Sequence, residues 1–175
     1  MKFLLRSFSY FIVFILAVLL FLPKIELFNL VEKELEKNSL IISNEKKVSQ
    51  LNGLTLENAD IYYQEVLSAN IEKIDITTYL VYSKFEINNL IVSKSLQNFL
   101  PRNIEKVEVD YSILDFKKLN IKAKGKFGEL FGYVDIFERK LKVELNPTQF
   151  MKLEYRNILR EFRLKDGKYY YEQNI

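Results

Sequence analysis

Apolar and polar side chains alternate along three segments in the second half of the chain, and this period of two is the strongest constraint on the fold. The apolar members are Val107, Val109, Tyr111 and Ile113 in the first segment, Leu119, Ile121 and Ala123 in the second, and Leu141, Val143 and Leu145 in the third. Such alternation is typical of antiparallel strands with one buried and one solvated face. We therefore predict a mainly β (α+β) domain over residues 39–175, an antiparallel meander or curved sheet covered by one helix.

Short turn signals divide this region into hairpins. Asn52-Gly53 and Asp166-Gly167 have the chemistry of two-residue turns, in which both residues need positive φ. The second pair predicts a C-terminal hairpin. Gly128 suits a tight connection between neighbouring strands, and Gly132, inside the next strand, predicts a β-bulge.

One segment near the C-terminus changes to helical spacing. It predicts a helix over about residues 147–163, with Asn146 as the N-cap, Pro147 at the first position and Gln149 completing a capping box. The apolar face of this helix would consist of Met151, Tyr155, Ile158 and Phe162. Such a face needs a sheet to pack on.

A weak internal repeat links the two halves of the predicted sheet. The run NIEKIDI at residues 70–76 returns 33 residues later as NIEKVEV at residues 103–109, with four identities and three conservative changes. Upstream, LTLEN at residues 54–58 has a looser counterpart in FEINN at residues 85–89. Coincidence between two strands and duplication of a strand unit both remain open.

The chain begins with an apolar run long enough to cross a membrane. Residues 3–22 contain one charge, at Arg6, and as a helix they span about 30 Å, the thickness of a bilayer's hydrocarbon core. We predict a retained transmembrane anchor over residues 1–23, whose span includes Phe3, Arg6, Phe8, Tyr10 and Leu22. A cleaved signal peptide is the main alternative, but no pair of small residues precedes Pro23. A buried core helix is the other.

Charge asymmetry gives the anchor a direction. Lys2 and Arg6 precede the span, whereas acidic and basic residues are mixed after it. The positive-inside rule then predicts a single-pass protein of the bacterial inner membrane, with a cytoplasmic N-terminus and a periplasmic C-terminal domain. Residues 24–38 follow as an amphipathic connector helix with the stripe Ile25, Phe28, Val31 and Leu35. This stripe packs on the domain or lies on the membrane surface, and its mixed charges favour packing.

Composition excludes most catalytic chemistry. The chain has no Cys and no His, so it lacks disulfides, thiol nucleophiles and the usual base of a catalytic triad. Residues 24–175 carry 24 basic and 23 acidic side chains, a balance that does not indicate a polyanion partner. We predict no enzymatic activity, no cofactor and no metal site, and no small-molecule substrate is evident.

Two charged groups on neighbouring strands are candidates for chemistry. Glu108 and Asp110 lie on one side of a strand at about the separation of paired glycosidase carboxylates, but on a solvated face where nothing raises a pKa. The next strand carries a possible anion-binding stripe, which consists of Lys118, Lys122, Lys124 and Lys126. The simpler interpretation pairs this stripe with the two acids across a hairpin. Direct contact with nucleic acid is not expected, because no aromatic residues alternate with the lysines on that face.

Tyrosines cluster in the C-terminal hairpin. Tyr169, Tyr170 and Tyr171 form a possible partner interface, although tyrosine is also an ordinary strand former.

The order of these parts resembles that of short proteins of the type II secretion protein N kind, which are related to AsmA-like envelope proteins. The resemblance is carried by short matches at residues 22–23 (LP), 41–45 (IISNE), 58–63 (NADIYY), 125–128 (GKFG), 132–135 (GYVD), 145–147 (LNP) and 167–172 (GKYYYE). It implies an inner-membrane protein whose periplasmic β-domain serves a secretion, pilus or DNA-uptake apparatus. No catalytic residue carries over.

Two functions follow as expectations. The first is a non-enzymatic accessory or assembly subunit of a type II secretion, type IV pilus or DNA-transformation (competence) apparatus, held by the lipid bilayer and docked on protein partners of that machine. The second is an AsmA-like lipid-binding or lipid-transfer module, in which a curved sheet presents an apolar groove to acyl chains. The two differ in whether the predicted helix covers the concave face of the sheet.

Overall fold

A computed structural model describes residues 10, 13–14, 17 and 23–175. The predicted span residues Phe3, Arg6, Phe8 and Leu22 lie outside the described residues, and Tyr10 is helical and exposed. Among the residues that are described, no helix is both long enough and apolar enough to cross a membrane.

The described chain is mainly β, as predicted. Within residues 23–175 the α-helices are α1 (Lys24–Lys37), α2 (Gln149–Glu154) and α3 (Arg156–Arg160). The strands are β1 (Leu40–Ser43), β2 (Lys46–Gln50), β3 (Gly53–Tyr63), β4 (Val66–Thr78), β5 (Tyr82–Val92), β6 (Asn103–Ser112), β7 (Lys118–Gly125), β8 (Gly128–Asp135), β9 (Lys140–Pro147), β10 (Arg163–Lys165) and β11 (Lys168–Asn174).

These strands form one antiparallel sheet with meander topology. From β3 to β9 every strand pairs with the next one in the sequence, and β1 and β2 pair with the two halves of β3. After β9 the chain passes through α2 and α3 and returns as the hairpin β10–β11, with β11 against β9. The predicted C-terminal hairpin is therefore confirmed, and its turn residues Asp166 and Gly167 both have positive φ.

Two glycine predictions are wrong. The β2–β3 turn consists of Leu51 and Asn52, and Gly53 is already the first residue of β3. Glycine is needed there because a Cβ would lie 2.0 Å from the carbonyl oxygen of Ile76 on β4. Gly132 pairs in regular register with Ile121 and Val143, so it marks close strand packing and not a bulge. The register shifts instead in the β3–β4 pair, next to Ile61.

The register aligns apolar side chains across the sheet. One such row runs from Leu54 through Ile76, Phe85 and Val109 to Ile121, each on a different strand. Two clusters of buried side chains form on this face. The first contains Phe28 of α1 with Leu54, Leu56, Ala59, Ile71 and Ile74, and the second contains Phe127, Leu145, Met151 and Leu159.

Helix α1 packs on the sheet, as its mixed charges favoured. Phe28 is buried, and the Nζ atom of Lys47 on β2 lies 2.7 Å from Oε2 of Glu32 and 2.8 Å from Oδ1 of Asn29. Val31, which the sequence placed on the apolar stripe, is exposed. The buried stripe of α1 is therefore narrower than its spacing predicts.

The single helix predicted over residues 147–163 is instead two short helices. Pro147 remains in β9, so the N-cap is Thr148, whose side chain accepts a hydrogen bond from the backbone N–H of Met151, and not Asn146. The helical conformation is interrupted at Tyr155, which ends α2 and precedes α3. The break rotates Leu159 into the core beside Met151, while Tyr155, Ile158 and Phe162 pack around them partly buried. These helices cover one end of the apolar face and not its whole length.

The internal repeat corresponds to two strand pairs in the same register. In β3–β4, Leu56 lies opposite Ile74 and Ala59 opposite Ile71; in β5–β6, their counterparts Ile87 and Leu90 lie opposite Val107 and Ile104. The aligned residues Asn58 and Asn89 both have positive φ inside a strand, at 58° and 53°. The repeat is thus a repeat of structure as well as of sequence.

Gly128 gives a stability test of the β7–β8 turn. Its φ is 125°, and a Cβ would lie 2.1 Å from the carbonyl oxygen of Asn146 on β9. We expect Gly128→Ala to lower the free energy of unfolding by more than about 2 kcal/mol. Gly167→Ala is the matched control: φ is 79° but no atom lies within 4 Å of the added carbon, so the loss should stay near 1 kcal/mol. Urea unfolding followed by circular dichroism measures both, and equal losses would contradict the steric explanation.

Candidate functional site

The face of the sheet opposite the apolar clusters carries an alternating set of charges on β5 and β6. Lys84 Nζ lies 2.8 Å from Glu86 Oε2 and 2.9 Å from Glu108 Oε1. Lys106 Nζ lies 2.9 Å from Glu86 Oε1 and 2.8 Å from Glu108 Oε1. The four side chains therefore close a ring in which each charge contacts two of the opposite sign. We call this ring the charge quartet.

The quartet holds its acids ionised. Hydrogen bonds from Lys106 and then from Lys84 lower the pKa of Glu108 to about 2, and those from Lys84 and Lys106 lower the pKa of Glu86. A general acid needs the opposite shift, so Glu108 is unsuited to that role. The Asp110 carboxylate accepts a hydrogen bond from the hydroxyl of Tyr82. The two carboxylates considered together from the sequence therefore bind different partners: Glu108 binds two lysines, and Asp110 binds Tyr82.

Three of the four lysines of the predicted stripe share one face of a strand. Lys118, Lys122 and Lys124 share the polar face of β7, but Lys126 lies in the β7–β8 turn. Lys118 Nζ lies 5.1 Å from the centre of the Tyr133 ring, and Lys124 Nζ lies 3.7 Å from Glu129 Oε1. Lys122 is opposite Glu108 in the register, as the simpler interpretation expected, yet Glu108 is bound by Lys84 and Lys106 instead. Lys122 has no ion pair within the described residues.

The three C-terminal tyrosines do not form one surface. Tyr169 packs against the second buried cluster, and the ring centre of Tyr171 lies 5.5 Å from that of Phe162. Tyr170 points to the other face, where 36% of its surface is exposed. Successive side chains of a strand alternate in direction, so a run of three tyrosines is necessarily divided. Only Tyr170 remains as an interface candidate on the polar face.

Tyr170 and Lys122 line the same basin of about 1250 Å³ on the polar face. The register Lys122, Phe131, Glu144, Tyr170 and Arg163 crosses it from β7 to β10. Residues of six neighbouring strands, β6 to β11, line this one basin, and its charged side chains and the rings of Phe131, Tyr133 and Tyr170 belong to the polar face. The sheet over β6 to β11 is therefore concave on its polar face.

Charge in the basin is mixed around exposed aromatic rings. Phe131 is 41% exposed, and Tyr133 and Tyr170 lie on the same face. The cations are Lys122, Lys140, Lys142, Arg163 and Lys165, and the anions are Asp110, Glu144, Glu161 and Glu172. Glu144 Oε1 lies 2.6 Å from Lys168 Nζ, and this hydrogen bond lowers the pKa of Glu144. Arg163 and Lys165 form no ion pair with the rest of the described chain, so both are available to a ligand.

Sequence reasoning missed this basin, although one signal for it exists. In β8 the polar-face positions are Glu129, Phe131, Tyr133 and Asp135, so apolar side chains occupy both faces in the middle of the strand. An aromatic pair on the solvated face of a strand indicates a second apolar contact. Within the described residues, no group of three or more acidic side chains is arranged to hold a metal ion.

No protein-family model, curated protein sequence or solved structure matches the chain.

The charge quartet predicts a specific pH dependence of stability. Because the pKa of Glu108 falls from its ordinary value of 4.5 to about 2 on folding, its contribution is complete above pH 4.5 and disappears as the pH falls to 2. We expect Glu108→Gln to lower the free energy of unfolding by about 1 to 2 kcal/mol at pH 7.

The measurement is urea unfolding of wild type and variant at several pH values between 7 and 2. The difference between them should shrink below pH 4.5. Glu105→Gln is the control, since Glu105 is exposed on the same strand and has no ion pair in the described part of the chain. A difference that is independent of pH would show that Glu108 acts through packing and not through its charge.

Proposed function

We propose that this chain is a non-enzymatic binding subunit, held at the bacterial inner membrane by residues 1–23, whose periplasmic β-domain receives a segment of a partner protein in the basin. The observation that carries this proposal is the basin itself: a concave surface with exposed aromatic rings and nearly balanced charge. Exposed aromatics with neighbouring arginine are typical of protein interfaces, where they supply most of the binding energy.

The charge of the basin supports a polypeptide over other ligands. Five cations and four anions line it, so a polyanion such as DNA would meet repulsion as well as attraction. An acyl chain would have to displace water from charged side chains without replacing their hydrogen bonds. This supports the accessory-subunit function over the AsmA-like lipid groove, because the concave side is the charged one.

The edge of the sheet beside the basin adds a second recognition element. β10 has three residues and pairs only with the first part of β11, through Arg163, Leu164 and Lys165. The outer edge of β11 from Tyr171 to Asn174 pairs with no other described strand. An extended segment of the partner can add to this edge by backbone hydrogen bonds while its side chains enter the basin.

The identity of the machine is proposed from the sequence resemblance. A type II secretion, type IV pilus or DNA-transformation apparatus has periplasmic components on which such a subunit would dock. Tethering to the membrane raises the local concentration of a weak binding surface, so a modest interface is sufficient.

In vivo photocrosslinking tests the basin. A photoreactive phenylalanine analogue at Phe131 is expected to give an adduct of defined mass with one periplasmic protein, which mass spectrometry identifies. Tyr170→Ala should reduce that adduct at least about tenfold, because buried interface aromatics contribute about 2 kcal/mol or more. Tyr63→Ala is the matched control, a half-exposed tyrosine on β3 outside the basin. Equal adducts from both variants, or no adduct, would contradict the proposal.

The orientation in the membrane is tested separately. A reporter enzyme that is active only outside the cytoplasm, fused after Ile175, is expected to be active, because the positive charge before the span keeps the N-terminus inside. A reporter active only in the cytoplasm serves as the reciprocal control. Activity of the cytoplasmic reporter alone would overturn the periplasmic placement.

A further inference from the structure

Four loops at one end of the sheet present large apolar side chains to solvent. They are the β2–β3, β4–β5, β6–β7 and β8–β9 connections, which a meander brings to the same end. Their exposed apolar residues include Leu51, Leu80, Leu114 and Phe137, and Leu114 is 85% exposed. We call this set of loops the apolar rim.

Backbone hydrogen bonds fix the rim as one continuous surface. The N–H of Thr78 donates to the carbonyl of Asn52, that of Ile113 to Val81, and that of Ile136 to Lys117. Phe116 and Phe137, from neighbouring loops, meet edge to face with ring centres 5.7 Å apart. The loops therefore hold their apolar tips outward in a row.

The opposite end of the sheet is different. The β3–β4 turn has Gln64 and Glu65 at its tip, and Lys126 is the exposed residue of the β7–β8 turn. Two connections there also expose apolar residues: the loop between β5 and β6 exposes Phe99 and Leu100, and α2 after β9 exposes Leu153. An apolar tip on every loop is thus a property of one end only.

The direction of α1 identifies what the rim faces. The carbonyl of Ser39, just after α1, accepts a hydrogen bond from the backbone N–H of Gln64, at the end of the sheet opposite the rim. Midway along α1, Asn29 and Glu32 contact Lys47 on β2. The first turn of α1 therefore points toward the rim. The first and last turns of α1 are about 20 Å apart. The apolar segment 3–22 precedes that first turn directly.

We propose that the apolar rim rests in the lipid interface of the membrane that anchors the chain, so that the sheet stands on the bilayer by its loops. This inference rests on the membrane anchor of the proposed function. The charged residues of these loops are Asp115, Lys117, Glu138 and Arg139, and of these the two cations would be favoured by anionic headgroups. The anchor and the rim together hold the domain upright and direct the polar face sideways along the membrane surface.

The absence of tryptophan from the chain allows a direct measurement. Leu114→Trp in the full-length protein, reconstituted into phosphatidylethanolamine and phosphatidylglycerol vesicles, places the single fluorophore on the rim. Because interfacial apolar groups lie about 5 to 10 Å deep, lipids brominated near the headgroup should reduce its emission to about half or less. Phe99→Trp, 72% exposed at the opposite end, is the matched control and should keep its emission.

A second pair of variants guards against perturbation by the tryptophan itself. Phe137→Trp should be quenched in the same way, and adding Leu114→Asp to it should reduce that quenching while circular dichroism stays unchanged. Blue-shifted emission without bromine quenching would mean that the rim contacts another protein copy, and would overturn the inference. Equal emission from Leu114→Trp and Phe99→Trp in vesicles would also overturn it.

Flotation of the same vesicles separates the two proposals. Protein that floats with the vesicles but is not quenched leaves the anchor intact and removes the rim contact. Protein that does not float removes both.

Discussion

The backbone register of the meander is the constraint on which the rest of this structure depends. Each strand from β3 to β9 pairs with the next so that apolar side chains meet apolar side chains, as in the row from Leu54 to Ile121. A slip of one residue in any pair would exchange the two faces of that strand. Two buried clusters stabilise this register, one under α1 near the first strands and one under α2 and α3 near the last strands. The close strand contacts at Gly53 and Gly128, next to two of the turns, fix it further.

The same register determines what the other face can do. The acids Glu86 and Glu108 lie opposite each other on β5 and β6, and Lys84 and Lys106 beside them each bind both acids in the charge quartet, which leaves little for a ligand. Farther along, the charges around Phe131 and Tyr170 are less completely paired, and the sheet curves toward them. Because the charges on β5 and β6 bind one another, the charged groups that remain for a ligand lie mainly in the basin.

Much of the fold was predictable because strand alternation is a local property. The strands around Val107, Ile121 and Val143 and the connector helix follow from spacing alone, and the C-terminal hairpin follows from the turn residues Asp166 and Gly167. The helix after β9 was predicted too long and with the wrong cap, because Pro147 completes the pairing of β9 with β8 and the chain turns only at Thr148. The extent of the basin could not be predicted, since it depends on the curvature of six strands, although Phe131 and Tyr133 on the polar face of β8 are a local signal for it. The sequence grouped Tyr170 with Tyr169 and Tyr171 as one interface. Because successive side chains of a strand point in opposite directions, Tyr170 lies on the other face of the sheet from its two neighbours.

The repeated strand pairs have a consequence for how such a sheet changes size. Residues 54–76 and 85–109 build the same two-strand unit, each with an asparagine at positive φ in its first strand. In each unit the chain enters the first strand and leaves the second strand at the same end of the sheet. One unit can therefore take the place of the other in the strand order. Genetic gain or loss of one unit would therefore alter the distance between the two capped ends by two strand spacings, about 9 to 10 Å, without altering either end. The width of the domain is in this sense modular, while its anchor and its basin are not.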